Sequence, residues 1–229
     1  MTFVADVAGI LVVDKPAGWT SFDVVAFVRR RSGVKRVGHA GTLDPAATGV
    51  LTLLMGTATR LTEYLVDAGK QYLATVELGV ETDTYDRDGT VVAERDASGV
   101  TRAQIDAALS AFRGEIMQTP PVYSAIKVGG RRAYKLAREG EAVALAPRIV
   151  RVDSITLERF DWPMLEITVT CGKGTYIRSL ARQIGQRLGT GGYLTALRRT
   201  SVGLYTIDRA ITLDAVPTPL NTEHLLAES

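Results

Sequence analysis

The amino-acid sequence predicts a protein that contains both β-strands and α-helices, because strand-like and helix-like segments follow one another along the chain. Residues 70–78 alternate between apolar and polar side chains, which is typical of a half-buried strand. Residues 9–13 form an apolar run of strand length, and Phe22, Val25 and Val28 then recur at helical spacing. A chain of 229 residues can bury a sizeable core, as one large domain or two small ones.

The first strand and helix are separated by a short turn that contains Pro16. Thr20 or Ser21 can cap the helix that follows. Three arginines at residues 29–31 suit its C-terminus, either as partners of the helix dipole or as contacts to phosphate groups. Lys15 could contact a substrate, but a structural role beside Pro16 is the simpler interpretation.

The middle of the chain predicts two further helices. An apolar run at 50–54 precedes a helix at 57–66. Thr101 and Gln104 form a capping-box pattern, and the helix behind it places Ile105, Leu109 and Phe112 together before it stops at Gly114. Between these helices, the acidic residues 81–89 resemble a calcium loop only weakly, and we interpret them as an ordinary loop.

The last third of the chain predicts two strands, at 148–159 and 165–171, and a helix at 176–188. The single cysteine, Cys171, is most simply a small buried residue, and one cysteine permits no intramolecular disulfide.

Composition and charge limit the functional classes. Hydrophobic residues make up 46% and charged residues 23% of the chain, which is ordinary for a soluble globular protein. We see no apolar run long enough to span a bilayer and no signal peptide, so we expect a cytoplasmic protein with no membrane association. Residues 126–151 and 172–200 together carry a net charge of +11, against +2 for the whole chain. Such concentration predicts a polyanion site, although a single cluster would more often be a solvated helix face.

A loop at residues 37–51 is the strongest candidate for a catalytic segment. It is rich in glycine, and Pro45 biases the preceding Asp44 towards an extended conformation. It holds one carboxylate, Asp44, and one imidazole, His39, five residues before it. Local chemistry alone favours a simple Asp-Pro turn, because such turns are common.

The loop sequence GHAGTLDPAATGVL, at residues 38–51, resembles the catalytic motif of the TruB family of tRNA pseudouridine-55 synthases. Further stretches agree in order along the chain: GILVVDKP at 9–16, KQYLATVELG at 70–79, GTYIR at 174–178 and LRR at 197–199. The resemblance covers about residues 8–205 and implies a fold of the α/β class, with a mixed, mainly antiparallel sheet flanked by helices, as in pseudouridine synthases.

The resemblance also implies an activity and its residues. Uridine-55 in the T loop of tRNA would be converted to pseudouridine, with Asp44 as the nucleophile, Arg178 as its partner arginine and Tyr72 in the active site. Tyr72 could stack on the base or move a proton. A base inside an RNA fold must be extruded to reach a carboxylate, and His39 would fill the vacated space. His39 could instead be a loop histidine bonded to backbone.

Two more residues, Tyr176 and Leu197, match positions that form the walls of the pocket. An irregular segment at 119–146 corresponds to an insertion that closes over the RNA loop. Aromatic and basic side chains alternate there on a glycine-rich stretch, which suits RNA. Its candidate RNA contacts are Lys127, Arg131, Arg132 and Lys135.

The expected organisation is a catalytic domain at residues 1–205 followed by a C-terminal remnant at 206–229. The small RNA-binding domain that usually follows is expected to be absent. The resemblance implies that the protein binds the T-stem loop of tRNA, and we expect it to be a monomer. We expect no cofactor or metal, because the isomerisation needs none and the sequence has no zinc-ligand cluster. The sequence also offers no nucleophile that competes with Asp44. Two alternatives remain: an RNA-binding or tRNA-folding module, and the relative that modifies ribosomal RNA with a guide RNA.

Overall fold

The computed structural model describes residues 7–141 and 143–226. They form two compact units. The first comprises the described residues up to Tyr72 together with those from Leu197 onwards, and the second comprises Leu73–Ala196.

The α-helices of the described chain are α1 (Ser21–Ser32), α2 (Thr62–Asp67), α3 (Arg102–Ser110), α4 (Ala133–Arg138) and α5 (Ile177–Arg187). The strands are β1 (Gly9–Lys15), β2 (Val37–His39), β3 (Thr48–Met55), β4 (Lys70–Leu78), β5 (Val80–Thr82), β6 (Val91–Glu94), β7 (Gly114–Gln118), β8 (Lys127–Val128), β9 (Arg131–Arg132), β10 (Arg148–Asp161), β11 (Met164–Cys171), β12 (Gly192–Val202) and β13 (Tyr205–Thr206).

In the first unit, the sheet is built around β3. Strands β1 and β2 pair with it in the antiparallel direction, and β13 pairs in the same sense with β12. The pairing of β12 with β3 is parallel and places Arg198 opposite Thr48 and Arg199 opposite Gly49. This pairing brings β12 next to the strand that directly follows the Asp44 loop.

Each face of this sheet packs against different apolar side chains. Leu11, Leu51 and Leu53 share one buried cluster with Val24 and Val28 of α1. The alternate residues of the same strands form a second cluster, which includes Ile10, Val12, Val50 and Leu54. Two-residue periodicity therefore divides the side chains of β1 and β3 between two cores. Helix α1 begins with a capping box made by Thr20 and Asp23.

The second unit contains a longer antiparallel ladder. β10 pairs with β11 and with β7, and β4 lies between β11 and β12. Helix α3 packs on β10, and α5 turns Ile177, Leu180 and Ile184 towards the interior. A small hairpin of β8 and β9 stands before α4.

These observations confirm the expected α/β class with a mixed, mainly antiparallel sheet and flanking helices. The prediction for α3 was wrong at its end, since the helix stops at Ser110. Phe112 lies in tighter turns, where its N–H donates to the carbonyl of Leu109. The helix predicted at 57–66 is a 3₁₀ turn at Gly56–Leu61 followed by α2. No helix within 7–141 and 143–226 combines the length and apolar character needed to cross a membrane.

Gly49 is required by the close approach of β12 to β3. Its φ is +99°, and a Cβ atom there would lie 2.2 Å from the carbonyl oxygen of Arg199. The obstacle is main chain in a paired strand, so it cannot move aside as a flexible side chain would.

We predict that Gly49→Ala loses more than about 4 kcal/mol of unfolding free energy, because the overlap breaks the β3–β12 pairing. Gly18→Ala is the matched control, since Gly18 also has a positive φ (+81°) but nothing lies within 4 Å of its added Cβ. It should lose roughly 1–2 kcal/mol through backbone strain alone. Equal losses in urea titrations of the two variants would contradict the steric explanation.

Candidate active site

The loop that carries Asp44 connects β2 to β3 in the first unit. The N–H of Ala47 donates to the carbonyl of Asp44 at 3.1 Å, so the predicted turn is present. Asp44 itself is partly exposed, at the centre of a segment whose neighbouring carbonyl groups bind side chains from elsewhere in the unit.

Lys15, the last residue of β1, holds the C-terminal side of this loop. Its side chain is fully buried, and its ammonium group donates to the carbonyls of Pro16 at 2.9 Å, Trp19 at 2.6 Å and Pro45 at 3.1 Å. Burial lowers the pKa of Lys15 from 10.5 to about 8, while the carboxylate of Asp44 opposes that shift. The contacts support the structural interpretation of Lys15.

Arg199 on β12 holds the N-terminal side of the loop. The side chain is almost completely buried. Its Nε donates to the carbonyl of Val50 at 2.7 Å, and its Nη atoms donate to the carbonyls of Gly41 at 3.1 Å and Thr42 at 3.5 Å. A rigid guanidinium with five donors can serve several carbonyls in one plane, which an ammonium group cannot do.

The hydroxyl of Ser21 fixes the residue before Asp44. It accepts a hydrogen bond from the N–H of Leu43 at 2.9 Å and donates to the carbonyl of Leu43 at 3.2 Å. Together with Lys15 and Arg199, Ser21 leaves the main chain around Asp44 little freedom to move.

His39 ends β2, five residues before Asp44. Its Nδ1 is buried and has no hydrogen-bond partner within the described chain. Burial lowers the pKa of His39 below 6.5, and the nearby Arg199 lowers it further, so the imidazole is neutral at pH 7.

Tyr72 and Leu197 also lie in the first unit. Tyr72 is 7% exposed and occupies β4, whose buried and partly exposed residues alternate as predicted. The start of β4 is fixed by Lys70, whose ammonium group donates to the carbonyls of Val66 and Ala68. Leu197 is partly buried, and its carbonyl accepts from the hydroxyl of Thr48.

Arg178 lies in the second unit, at the start of α5, and is 6% exposed. Its Nη1 lies 3.3 Å from a carboxylate oxygen of Asp86 and donates to the carbonyl of Thr84 at 3.4 Å. Its Nη2 donates to the carbonyl of Tyr123 at 3.0 Å. The guanidinium therefore joins α5 to the acidic turn and to the start of the 119–146 segment.

Tyr176 caps the same helix. Its N–H donates to the side-chain carbonyl of Gln118 at 2.7 Å, and the Arg148 guanidinium lies 5.2 Å from its ring centroid. Tyr176 is partly exposed.

The four candidate RNA contacts are exposed on the β8–β9 hairpin and α4. Arg131 forms ion pairs with Glu139 and Glu141, and these raise its pKa. Arg132 donates to the carbonyl of Ala125 at 2.7 Å. The charge of Arg131 is thus neutralised by two acidic residues that follow α4.

The structure places His39, Asp44, Tyr72 and Leu197 in the first unit, and Tyr176, Arg178 and the RNA-contact candidates in the second. Sequence reasoning missed Arg199, Ser21 and Asp86 as residues that support these groups. The LRR stretch contains Arg199, but the neighbouring sequence does not predict which carbonyl groups it binds. Within the described ranges, no group of three or more His, Cys, Asp or Glu side chains is arranged to hold a metal ion.

Comparison with known proteins decides the family. Residues 29–177 match the model of the TruB family pseudouridylate synthase N-terminal domain, and residues 178–228 match the tRNA pseudouridylate synthase B C-terminal domain. The chain belongs to the TruB family. This confirms the resemblance found in the sequence motifs.

Relatives named tRNA pseudouridine synthase B share about half of their residues with this TruB-family chain. The Opitutus terrae protein is 50% identical over 208 residues, which is 91% of this chain and 86% of the relative. The protein of Mycobacterium sp. (strain KMS) is 51% identical over 225 residues, covering 96% of this chain and 76% of the relative.

Two solved structures are similar to this chain in fold and sequence. Cbf5 in a Cbf5–Nop10–Gar1 complex superposes with a TM-score of 0.71 at 33% identity, over 90% of this TruB-family chain and 52% of Cbf5. A chain from an archaeal box H/ACA Nop10–Cbf5 complex gives a TM-score of 0.68 at 31% identity, over 91% and 52%. The chain therefore spans about half the length of these structural relatives.

We predict that Lys15→Met lowers the unfolding free energy by about 2–4 kcal/mol, because three carbonyl groups lose their donor inside the fold. Lys127→Met is the control, since Lys127 is an exposed lysine. Its loss should stay within about 0.5 kcal/mol in the same urea titration. Similar losses for the two variants would show that the carbonyl contacts of Lys15 contribute little.

The lowered pKa adds a dependence on pH. Between pH 8 and 10.5 the unfolded chain retains the Lys15 proton that the folded chain has released, so the unfolding free energy contributed at this site rises with pH. The stability difference between wild type and Lys15→Met should therefore widen across that interval. A constant difference would mean that Lys15 keeps its ordinary pKa.

Proposed function

We propose that this protein isomerises uridine-55 in the T loop of tRNA to pseudouridine. Its TruB-family membership and the tRNA pseudouridine synthase B names of its relatives support this activity. The observation that carries the proposal in the chain itself is the Asp44 loop, where side chains bind the carbonyls on both sides of a partly exposed carboxylate.

The reaction breaks the bond between N1 of uracil and C1′ of ribose, rotates the base and joins C5 to C1′. The proton that C5 loses is balanced by the one that N1 gains, so no oxidant or reductant is consumed. Asp44 acts as the nucleophile, by adding to the uracil ring or by attacking the ribose; alternatively it deprotonates the ribose. Main-chain anchoring suits this work, because a catalytic residue whose backbone is fixed loses less freedom at the transition state.

Each remaining site residue has a role in this proposal. Tyr72 stacks on the base or transfers a proton, and Arg178 supplies a fixed positive charge. Uridine must leave its stack before it can react, and neutral His39 is suited to occupy the space. Tyr176 and Leu197 are assigned to substrate binding.

RNA binding is assigned to the segment 119–146, which closes over the T-stem loop. Lys127, Arg131, Arg132 and Lys135 contact phosphates or bases there. The ion pairs of Arg131 with Glu139 and Glu141 must be exchanged for RNA contacts as the segment closes.

The direct test is to incubate the protein with a tRNA transcript and map pseudouridine by chemical sequencing. We predict modification at position 55 by the wild type and none by Asp44→Asn, which keeps the shape of the side chain and removes the nucleophile. RNA affinity should stay within about tenfold of wild type. Asp106→Asn, on the solvent side of α3, is the control and should remain active.

Turnover by purified Asp44→Asn would remove Asp44 from its role. Binding of tRNA by an inactive wild type would favour the alternative of an RNA-binding or tRNA-folding module.

A separate prediction concerns the acids of the 119–146 segment. Glu139→Gln together with Glu141→Gln should strengthen tRNA binding by about threefold to tenfold, because Arg131 would then meet phosphate without first losing its partners. The slope of log affinity against log salt should also steepen. In the Arg131→Gln background the same two changes should have a smaller effect, and an equal effect would contradict the exchange.

A further inference from the structure

The turn that holds Asp86 contains an unusual backbone conformation. Tyr85 has φ +64° and is the one non-glycine residue in the described chain with a positive φ. Its two neighbours are the residues of this turn that contact Arg178: the carbonyl of Thr84 and the carboxylate of Asp86. A left-handed tyrosine costs roughly 1–2 kcal/mol, whereas glycine or asparagine would tolerate the conformation.

The side chain of Tyr85 supplies the contact that offsets this strain. The guanidinium of Arg182 lies 4.5 Å from the ring centroid, and its Nη1 donates to the phenol oxygen at 2.8 Å. Arg182 is four residues after Arg178, so both arginines project from the same side of α5 one turn apart. Helix α5 thus contacts the turn through two side chains. Arg178 contacts Thr84 and Asp86, and Arg182 contacts Tyr85.

The rest of the turn directs the Asp86 carboxylate. Its Oδ1 accepts from the hydroxyl of Thr84 at 2.5 Å and from the N–H of Asp88 at 3.2 Å, which leaves Oδ2 to face Arg178. The N–H of Leu194 on β12 donates to the carbonyl of Tyr85 at 3.0 Å. The direction of the carboxylate therefore depends on the conformation at Tyr85, because that residue joins the two groups that Arg178 contacts.

We propose that Tyr85 and Arg182 are positioning residues for the reaction. They hold the turn against α5 in the conformation that aims Asp86 and the Thr84 carbonyl at Arg178. The inference rests on the proposed function, in which Arg178 is a catalytic residue. Neither Tyr85 nor Arg182 is proposed to contact RNA. Substituting them should therefore lower the rate of the reaction without lowering the affinity for tRNA.

The test compares Tyr85→Asn with Tyr85→Phe. Asparagine tolerates the left-handed conformation but removes the ring, and phenylalanine keeps the ring over which Arg182 lies. We expect Tyr85→Asn to lose about tenfold to a hundredfold in single-turnover rate at saturating tRNA, because small misplacement of a catalytic group is costly. Its melting temperature should be unchanged or higher, and tRNA affinity should stay within about threefold. Tyr85→Phe should recover most of the rate.

Arg182→Gln provides the partner test. It should lose as much rate as Tyr85→Asn, and the double variant should lose no more than either single variant, since all three break one contact. Arg102→Gln on α3 is the matched control, because Arg102 is exposed and contacts Asp106 on its own helix. If Arg182→Gln does not fold, the two Tyr85 variants still decide the question.

The outcomes are distinct. An active wild type with an equally fast Tyr85→Asn would overturn the positioning role, and so would a Tyr85→Phe variant as slow as Tyr85→Asn. A slow Tyr85→Asn with a lowered melting temperature would reduce Tyr85 to a residue of stability and also overturn it. A wild type that makes no pseudouridine in tRNA would instead overturn the proposed function, and the inference with it.

Discussion

The Asp44 loop depends on hydrogen bonds that charged side chains donate to its main-chain carbonyl groups. Lys15 donates a hydrogen bond to the carbonyl of Pro45, and Arg199 donates hydrogen bonds to those of Gly41 and Thr42. Between them, the hydroxyl of Ser21 forms hydrogen bonds with the N–H and the carbonyl of Leu43. The loop has no regular pairing of its own at these positions, so its conformation is set by donors that other strands and α1 deliver.

Burying two cations to hold one loop is costly, since each loses several kcal/mol of hydration. Hydrogen bonds from charged donors contribute about 1.5–3 kcal/mol each, and Lys15 and Arg199 each make three. The two terms are of similar size, but removing either side chain would leave buried carbonyl groups without a donor and would therefore destabilise the fold. What they do supply is one loop conformation, which an apolar core of the same volume would not specify. The Asp44 carboxylate also opposes the fall in the Lys15 pKa, so the charges around the loop are coupled.

Local sequence patterns predict most of the individual helices and strands, whereas the mixed, mainly antiparallel sheet was predicted from the family resemblance. Alternation predicted β4, a capping residue and apolar spacing predicted α1, and glycine and proline predicted the Asp44 turn. What they could not predict was pairing over long distances. Arg199 binds carbonyls up to 158 residues away. The acidic residues 81–89 lack a complete calcium-ligand pattern and therefore indicate only a loop, and nothing in the local sequence predicts the contact of Asp86 with Arg178. The arginines at 29–31 were equally ambiguous, yet Arg29 and Arg31 donate to carbonyls of Val37 and Val216.

The second unit contains arginine contacts of two kinds, which differ in how far the guanidinium is exposed to solvent. Arg178 binds the carbonyls of Thr84 and Tyr123 from a buried position, whereas Arg131 meets Glu139 and Glu141 at the surface. Salt screens exposed charges beyond about 8–10 Å and affects buried pairs much less. Ionic strength should therefore weaken the exposed ion pairs of Arg131 more than the buried contacts of Arg178. Under the proposed function, binding and chemistry would therefore respond differently to ionic strength, because the charges proposed for binding are exposed and those proposed for chemistry are more deeply buried.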